Sequence, residues 1–189
     1  MRKIILLIHI SLDGFVAGEK GELDGFPVGD DNLGFVCDLC KTADAAMFGR
    51  ISFQLLDEFW PKAKDLPAAT KNEVIYSNWY NNAEKIVFSK RGSPSISKNT
   101  TFYGDINHKN IIKLKDAPGK DIIIFGSPGI ARQLMPFDLI DEYWIFINPV
   151  LFGKGIPLFK ENNKRTSLKL LQTKILGNGE VAMHYVLAK

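Results

Sequence analysis

Cysteine is scarce: the 189 residues contain two, Cys37 and Cys40, and three scattered histidines, His9, His108 and His184. A structural zinc takes four ligands, mostly Cys and His at short spacings, so no zinc module can be assembled and no metal site is expected. A disulfide-dense secreted scaffold is excluded on the same count. Long apolar runs are missing too; none approaches the ~20 residues that cross a bilayer. The start, Met1-Arg2-Lys3 followed by Ile4-Ile5-Leu6-Leu7-Ile8, imitates a secretory leader. Its apolar stretch is over by Ser11, however, and no small-residue cleavage site follows closely, so a buried first strand is expected. Charge of one sign is not in excess: 24 Lys+Arg against 21 Asp+Glu leave a net +3. That is too little, and too mixed, to recruit nucleic acid. Finally, there is no G-x-G-x-x-G after the first strand, no P-loop and no G-x-S-x-G elbow. An ordinary Rossmann enzyme, a nucleoside-triphosphatase and a serine hydrolase are thereby disfavoured.

What is present is ordinary globular material. Hydrophobic residues make up 46% and charged residues 24%, with 13 Phe. A chain of this length buries roughly 70% of its unfolded surface, enough for a core without staples. With no linker, repeat or low-complexity segment, residues 1–189 read as a single domain. Cys37 and Cys40 lie three residues apart in a probable helix, which places both thiols on one buried face. Reduced, buried thiols suit a cytoplasmic protein.

Residues 4–10 form a near-continuous apolar run, the pattern of a strand covered on both faces. Residues 11–30 hold Gly14, Gly18, Gly21, Gly25 and Gly29, which suggests a ligand loop or lid. A helix follows from residue 31, with Asp30, Asp31 or Asn32 as its cap. Residues 45–48 read as a buried strand, and 51–59 as a helix closed by Trp60-Pro61. A helix is possible within 66–82. Strands are expected at 85–88 and 121–125, and helices at 107–115 and 130–135. After Pro136 the texture becomes β-rich, with strands at 143–150, 168–176 and 181–187. Gly177-Asn178-Gly179 closes the last two into an antiparallel hairpin. The whole is an α/β fold, one mixed and mainly parallel sheet flanked by helices.

In such sheets ligands bind beyond the carboxyl ends of the strands, and three of those ends suit anions. Gly49-Arg50 opens a helix, where backbone N–H groups, the guanidinium and the Ser52 hydroxyl can meet a phosphate. Ser89-Lys90-Arg91 adds a hydroxyl and two cations. Gly126-Ser127-Pro128-Gly129 lets backbone approach a pyrophosphate closely. Singly, each is as readily a turn with a surface charge; together they point to a phosphate-bearing ligand. For acid–base work the candidates are Asp13 in the first loop, Asp31 (or Asp30) at the helix entrance, and His9 near the end of the first strand. His184, inside a strand, reads as structural.

At these positions the chain resembles a known family. Ser11-Leu12-Asp13-Gly14-Phe15-Val16-Ala17, Met47-Phe48-Gly49-Arg50-Ile51-Ser52-Phe53, Ile86-Val87-Phe88-Ser89-Lys90, residues 122–134 and Pro149-Val150-Leu151-Phe152-Gly153-Lys154-Gly155-Ile156-Pro157-Leu158-Phe159 occur in the family's order. They are similar to the C-terminal reductase domain of the bifunctional riboflavin-biosynthesis deaminase-reductase, which shares its three-layer fold with dihydrofolate reductase. The resemblance implies an NADPH-dependent reductase, often a homodimer. Its substrate would be a small ribosylaminopyrimidine-like compound of the 5-amino-6-(5-phosphoribosylamino)uracil type. A pterin reductase and a catalytically inactive nucleotide-binding module are the alternatives. By matching position, Val16 and Ala17 would lie against the nicotinamide, and Gly49, Arg50 and Ser52 would hold phosphates. Ser89 and Lys90 would take the 2′-phosphate end, and Gly126, Ser127, Gly129 and Ile130 the pyrophosphate. Many members carry two glycines where this chain has Gly126-Ser127.

Overall fold

The computed structural model describes residues 1–27, 29–91, 97–159 and 165–188. In chain order the elements are β1 (Ile4–Ser11), β2 (Phe15–Ala17), α1 (Asp30–Cys40), β3 (Ala43–Gly49), α2 (Arg50–Ala63) and α3 (Lys71–Asn82). There follow β4 (Glu84–Phe88), β5 (Thr100–Tyr103), α4 (His108–Asp116), β6 (Asp121–Phe125), α5 (Pro128–Leu134), β7 (Glu142–Asn148), β8 (Ile156–Pro157), β9 (Leu168–Ile175) and β10 (Val181–Leu187). Eight strands form one sheet in the order β5-β4-β3-β6-β1-β7-β10-β9. From β5 to β7 every pairing is parallel, whereas β7–β10 and β10–β9 are antiparallel.

Strand periodicity divides β1 between two cores. Ile4, Leu6, Ile8 and Ile10 pack with Ile111 and Leu114 of α4 and Ile130, Ala131 and Leu134 of α5. Ile5 and Leu7 face the other way, against Phe35, Val36, Cys37 and Cys40 of α1, Phe53 of α2, and Tyr76 and Tyr80 of α3. The expected three-layer, dihydrofolate reductase-like α/β fold is what these layers form. Both cysteines are buried and unbonded to each other, and burial pushes both thiols up from their ordinary range.

Four local expectations are corrected. Pro61 does not close α2, which continues to Ala63. Proline removes one helical N–H near the helix end, and neighbours hold this last turn: Ser77 Oγ donates to Trp60 O at 2.6 Å and Asn81 Nδ2 to Pro61 O at 3.0 Å. The cap of α1 is Gly29, with no side-chain hydrogen bond, rather than Asp30, Asp31 or Asn32. Strand β7 ends at Asn148, because Val150 N turns back to Asn148 O at 2.8 Å. Lastly, β2 pairs with β8 as a separate two-stranded sheet, and β5 adds to the edge; neither β2, β5 nor β8 was expected. Gly155 permits the β2–β8 approach, since a Cβ there would sit 2.2 Å from Ala17 O.

A buried cation also shapes the frame. Lys85 on β4 is fully buried and donates to Tyr80 O (2.5 Å) and Ala83 O (2.8 Å), satisfying carbonyls at the end of α3. Desolvation pulls its ammonium down to about 8, against the opposing field of Asp57.

Candidate active site

The parallel strands end together, and a cleft of about 1,070 Å³ opens beyond their carboxyl ends. Its floor is Leu7, Ile8 and His9 of β1, Phe88 of β4 and Phe125 of β6. The topology explains the place. After β1 the chain crosses to β3, runs outward through β4 and β5, and returns to insert β6 between β3 and β1. Loops leaving adjacent strands are thereby parted, and a crevice forms between them.

One wall is rich in anion-compatible groups. Gly49 caps α2 with no side-chain hydrogen bond, and the first turn of α2 holds Arg50 and no acid. By contrast, α3 and α4 close their own N-termini, with Thr70 accepting from Glu73 N and Asn107 from Asn110 N. The uncapped first turn of α2 therefore keeps N–H groups available to a ligand. Beside it, Gly126 (φ +60°) and Ser127 (φ +42°) both occupy left-handed backbone. Ser127 is stitched to its neighbours: Gly49 N donates to Ser127 Oγ at 2.9 Å, and Ser127 N donates to Ser52 Oγ at 3.2 Å. Those bonds hold the ends of β3 and β6 in register, and the Ser52 hydroxyl proton is left to donate elsewhere. A Cβ on Gly129 would meet nothing within 4 Å, so backbone at that point is open to the cleft.

Nine of the eleven residues proposed from the sequence for cofactor contact line this one cleft: Val16, Ala17, Gly49, Arg50, Ser52, Gly126, Ser127, Gly129 and Ile130. Ser89 and Lys90 lie just past Phe88, outside the lining residues. The Lys90 ammonium is exposed and pairs with Asp105 at 3.0 Å.

The acid–base candidates separate sharply. Asp13 is a loop clamp: its carboxylate accepts from Ser11 Oγ (2.6 Å), Phe152 N (3.1 Å) and Gly153 N (2.7 Å). The Ser11 hydrogen bond, with the two backbone bonds, holds its carboxyl below the usual range against the effect of burial. Asp31 is exposed and lies against Gly177, away from the cleft lining. Neither Asp13 nor Asp31 is among the described lining residues of the cleft. Asp30 lines the cleft, yet its oxygens accept from Thr70 Oγ1 and Asn72 Nδ2, tying α1 to α3.

His9 does lie on the cleft floor, stacked on Phe146 with centroids 4.7 Å apart. Its Nδ1 meets Glu180 Oε1 at 2.8 Å. Glu180 is 1% exposed, and its Oε2 accepts from Asn32 Nδ2 (2.7 Å) and Asn178 Nδ2 (2.9 Å). Burial alone would raise this carboxyl, but the His9 hydrogen bond and charge, with the two amides, hold it below its ordinary value. Sequence reasoning missed Glu180: nothing local distinguishes a glutamate after a Gly-Asn-Gly turn from a solvated one. His184 is structural, its Nε2 2.9 Å from Glu142 Oε2 and its ring stacked on Trp144.

Another part of the lining is apolar, built from Leu33 and Val36 of α1 and from Leu55, Leu56, Phe59 and Trp60 farther along α2. Arg50 is the one Lys or Arg among the described lining residues. Among the described residues no cluster of His, Cys, Asp or Glu could hold a metal ion, and no helix is long and apolar enough to cross a membrane.

Comparison with known proteins sets this geometry in context. A family model described as the RibD C-terminal domain matches residues 2–182. The uncharacterized protein YyaP of Bacillus subtilis (strain 168) is 34% identical over 186 residues, covering 97% of this chain and 94% of that protein. RibD of Acinetobacter baumannii superposes with a TM-score of 0.70 at 17% identity, over all of this chain and 59% of that one. Dihydrofolate reductase from Enterococcus faecalis, solved with NADP(H), gives a TM-score of 0.65 at 14% identity, over 99% of this chain and 97% of that one. At these identities the two solved structures speak to the fold.

Proposed function

We propose that this chain, which belongs to the RibD C-terminal domain family, is an NADPH-dependent reductase that uses the strand-end cleft to join the dinucleotide to a small planar acceptor. The observation that carries the reading is the anion-ready wall, where the uncapped first turn of α2, Arg50 and the open backbone of Gly126–Gly129 converge. These residues fit a dinucleotide. Gly49, Arg50 and Ser52 would hold phosphate oxygens, Gly126, Ser127, Gly129 and Ile130 would pack along the pyrophosphate, and Val16 and Ala17 would border the nicotinamide. Ser89 and Lys90, just past Phe88, would take a 2′-phosphate at the outer end, with Lys90 exchanging its Asp105 partner for the phosphate. When bound, NADPH supplies the hydride; the chain's own part is to orient the two partners and keep water out.

For the acceptor, the lining favours the pterin-like alternative over a phosphorylated ribosylaminopyrimidine. Leu33, Val36, Leu55, Leu56, Phe59 and Trp60 suit a flat ring, while Arg50, the lining cation, stands on the dinucleotide wall. A cytoplasmic homodimer remains our reading of the assembly. Edge strand β9 is exposed throughout, with Leu168, Leu170, Leu171 and Ile175 uncovered, the surface a second copy could bury. Sedimentation at equilibrium as a monomer would refute it.

The test of the function is calorimetric titration of ligand-free protein with NADPH and separately with NADH, followed by turnover assays. Micromolar binding with NADPH preferred, and NADPH oxidation by a dihydropterin, is the expected result. Absence of binding by both nucleotides would refute the proposal. Binding without turnover of dihydropterin or ribosylaminopyrimidine would favour a nucleotide-binding module that has lost catalysis.

A further inference from the structure

We propose that His9 and Glu180 form a proton-delivery pair on the cleft floor: His9 gives a proton from Nε2 to a ring nitrogen of the acceptor, and Glu180 is the positioning residue that fixes the imidazole. This rests on the reductase reading, because a hydride added to a ring carbon requires a proton at its neighbouring nitrogen. Of the carboxylates considered from the sequence, Asp13 and Asp31 lie off the cleft and Asp30 is occupied by Thr70 and Asn72. His9 alone of the candidates lies on the floor with a ring nitrogen free of any described protein partner.

Described groups from several segments surround the imidazole and its Glu180 partner. Strand β7 contributes Phe146, and the first loop contributes Phe26 at 6.4 Å. Helix α1 contributes the neutral Asn32 amide, with Asp30 farther along the same cleft. The turn before β10 brings Asn178 and Glu180. The arrangement is directional. Both amide donors fall on Glu180 Oε2, so Oε1 is left for His9. An ionised carboxylate can only accept, which requires the proton of neutral His9 to reside on Nδ1. The second proton of the imidazolium then sits on Nε2, the ring nitrogen with no described protein partner, and is the one available to the acceptor. On transfer the Nε2–H bond breaks and its electron pair stays on nitrogen, while the acceptor's new N–H bond forms as its carbon takes the hydride from the reduced nicotinamide. The neutral Nδ1–H imidazole that remains is reprotonated by solvent.

A purely structural role, in which Glu180 merely anchors the turn to β1 and α1, predicts something different for Glu180→Gln. Asn32 and Asn178 demand an oxygen at the Oε2 position, so the new amide must present its NH₂ to His9. Nδ1 becomes an acceptor and the neutral ring moves its proton to Nε2, the reversal that an amide imposes on imidazole in hydrolase triads. The turn stays anchored while the tautomer flips. Nitrogen-15 NMR of the ligand-free protein reads this directly, with His184, held through Nε2 by Glu142, as an internal reference that must not change. The expected spectra show Nδ1–H for neutral His9 in the wild type and Nε2–H in Glu180→Gln. With NADPH and 7,8-dihydropterin, kcat should fall about 100-fold or more in both His9→Gln and Glu180→Gln, the range for losing a general acid. NADPH affinity, read from tryptophan quenching, should stay within about threefold of wild type in both, because neither residue is placed on the dinucleotide wall. A wild-type His9 protonated on Nε2 when neutral, an unchanged spectrum in Glu180→Gln, or a kcat retained within about threefold in His9→Gln overturns the pair. Failure of the wild type to quench with NADPH counts instead against the reductase reading, and the separate titration distinguishes the two.

Discussion

Ser127 concentrates the local physics of the cleft, and two substitutions there separate its two roles. It is 3% exposed, it is a non-glycine residue at φ +42°, and its Oγ accepts from Gly49 N. Ser127→Ala keeps the left-handed strain and leaves the Gly49 N–H without its acceptor, at a cost of about 1–3 kcal/mol. Ser127→Gly loses the same acceptor, but relieves about 1 kcal/mol of the penalty that a Cβ incurs in this region. The backbone bond from Ser127 N to Ser52 Oγ persists in both. Ser127→Gly should therefore be the more stable variant by about 1 kcal/mol, or roughly 2–4 °C in Tm for a chain of this size. Urea unfolding followed by tryptophan fluorescence, with a shared m value, measures the difference; Trp144 is buried, and Trp60 and Trp79 pack against the core. Two neutral variants, or an alanine variant at least as stable as the glycine one, would refute the reasoning.

Three further outcomes are expected. Arg50→Ala removes the one Lys or Arg among the described lining residues, whose guanidinium donates to Gln54 Oε1 at 2.9 Å; it should weaken both NADPH and NADH about 10- to 100-fold by calorimetry, as the loss of a charge-assisted phosphate contact does. Lys90→Ala should weaken NADPH more than NADH; equal effects would leave Lys90 to its Asp105 partner and place the 2′-phosphate elsewhere. For Lys85, whose folded value lies near 8 against an unfolded 10.5, the unfolded chain binds more protons between those limits, so this group adds stability as pH rises through them. The stability-versus-pH slope from pH 8 to 10 should accordingly be more positive in wild type than in Lys85→Met, whatever the variant's absolute stability, and equal slopes in urea titrations would refute the assignment.

The order of buried strands and amphipathic helices was legible because it is local. A run such as Ile4-Ile5-Leu6-Leu7-Ile8 has one stable destination, the interior of a sheet, and Gly49-Arg50 and Gly126–Gly129 announce strand ends by their own backbone preferences. Those signals pointed to the α/β class, the C-terminal hairpin and six of the residues that line the cleft, Gly49, Arg50, Ser52, Gly126, Ser127 and Gly129, whereas Val16, Ala17 and Ile130 followed from the family resemblance. What the sequence could not determine depends on partners distant along the chain. Pro61 read as a stop because its clash is local, while the bonds from Ser77 and Asn81 that hold the last turn of α2 arrive from another helix. Phe15–Ala17 became a strand only because Gly155, more than a hundred residues away, lets a second backbone come close. Asp13 and Glu180 show the same division in chemistry. A carboxylate in a glycine-rich loop and a glutamate after a tight turn look alike on paper. Folding spends the first on the backbone of residues 152 and 153, and buries the second against His9. Composition and periodicity determine which surfaces must be hidden; the tertiary structure alone decides which polar groups meet once they are.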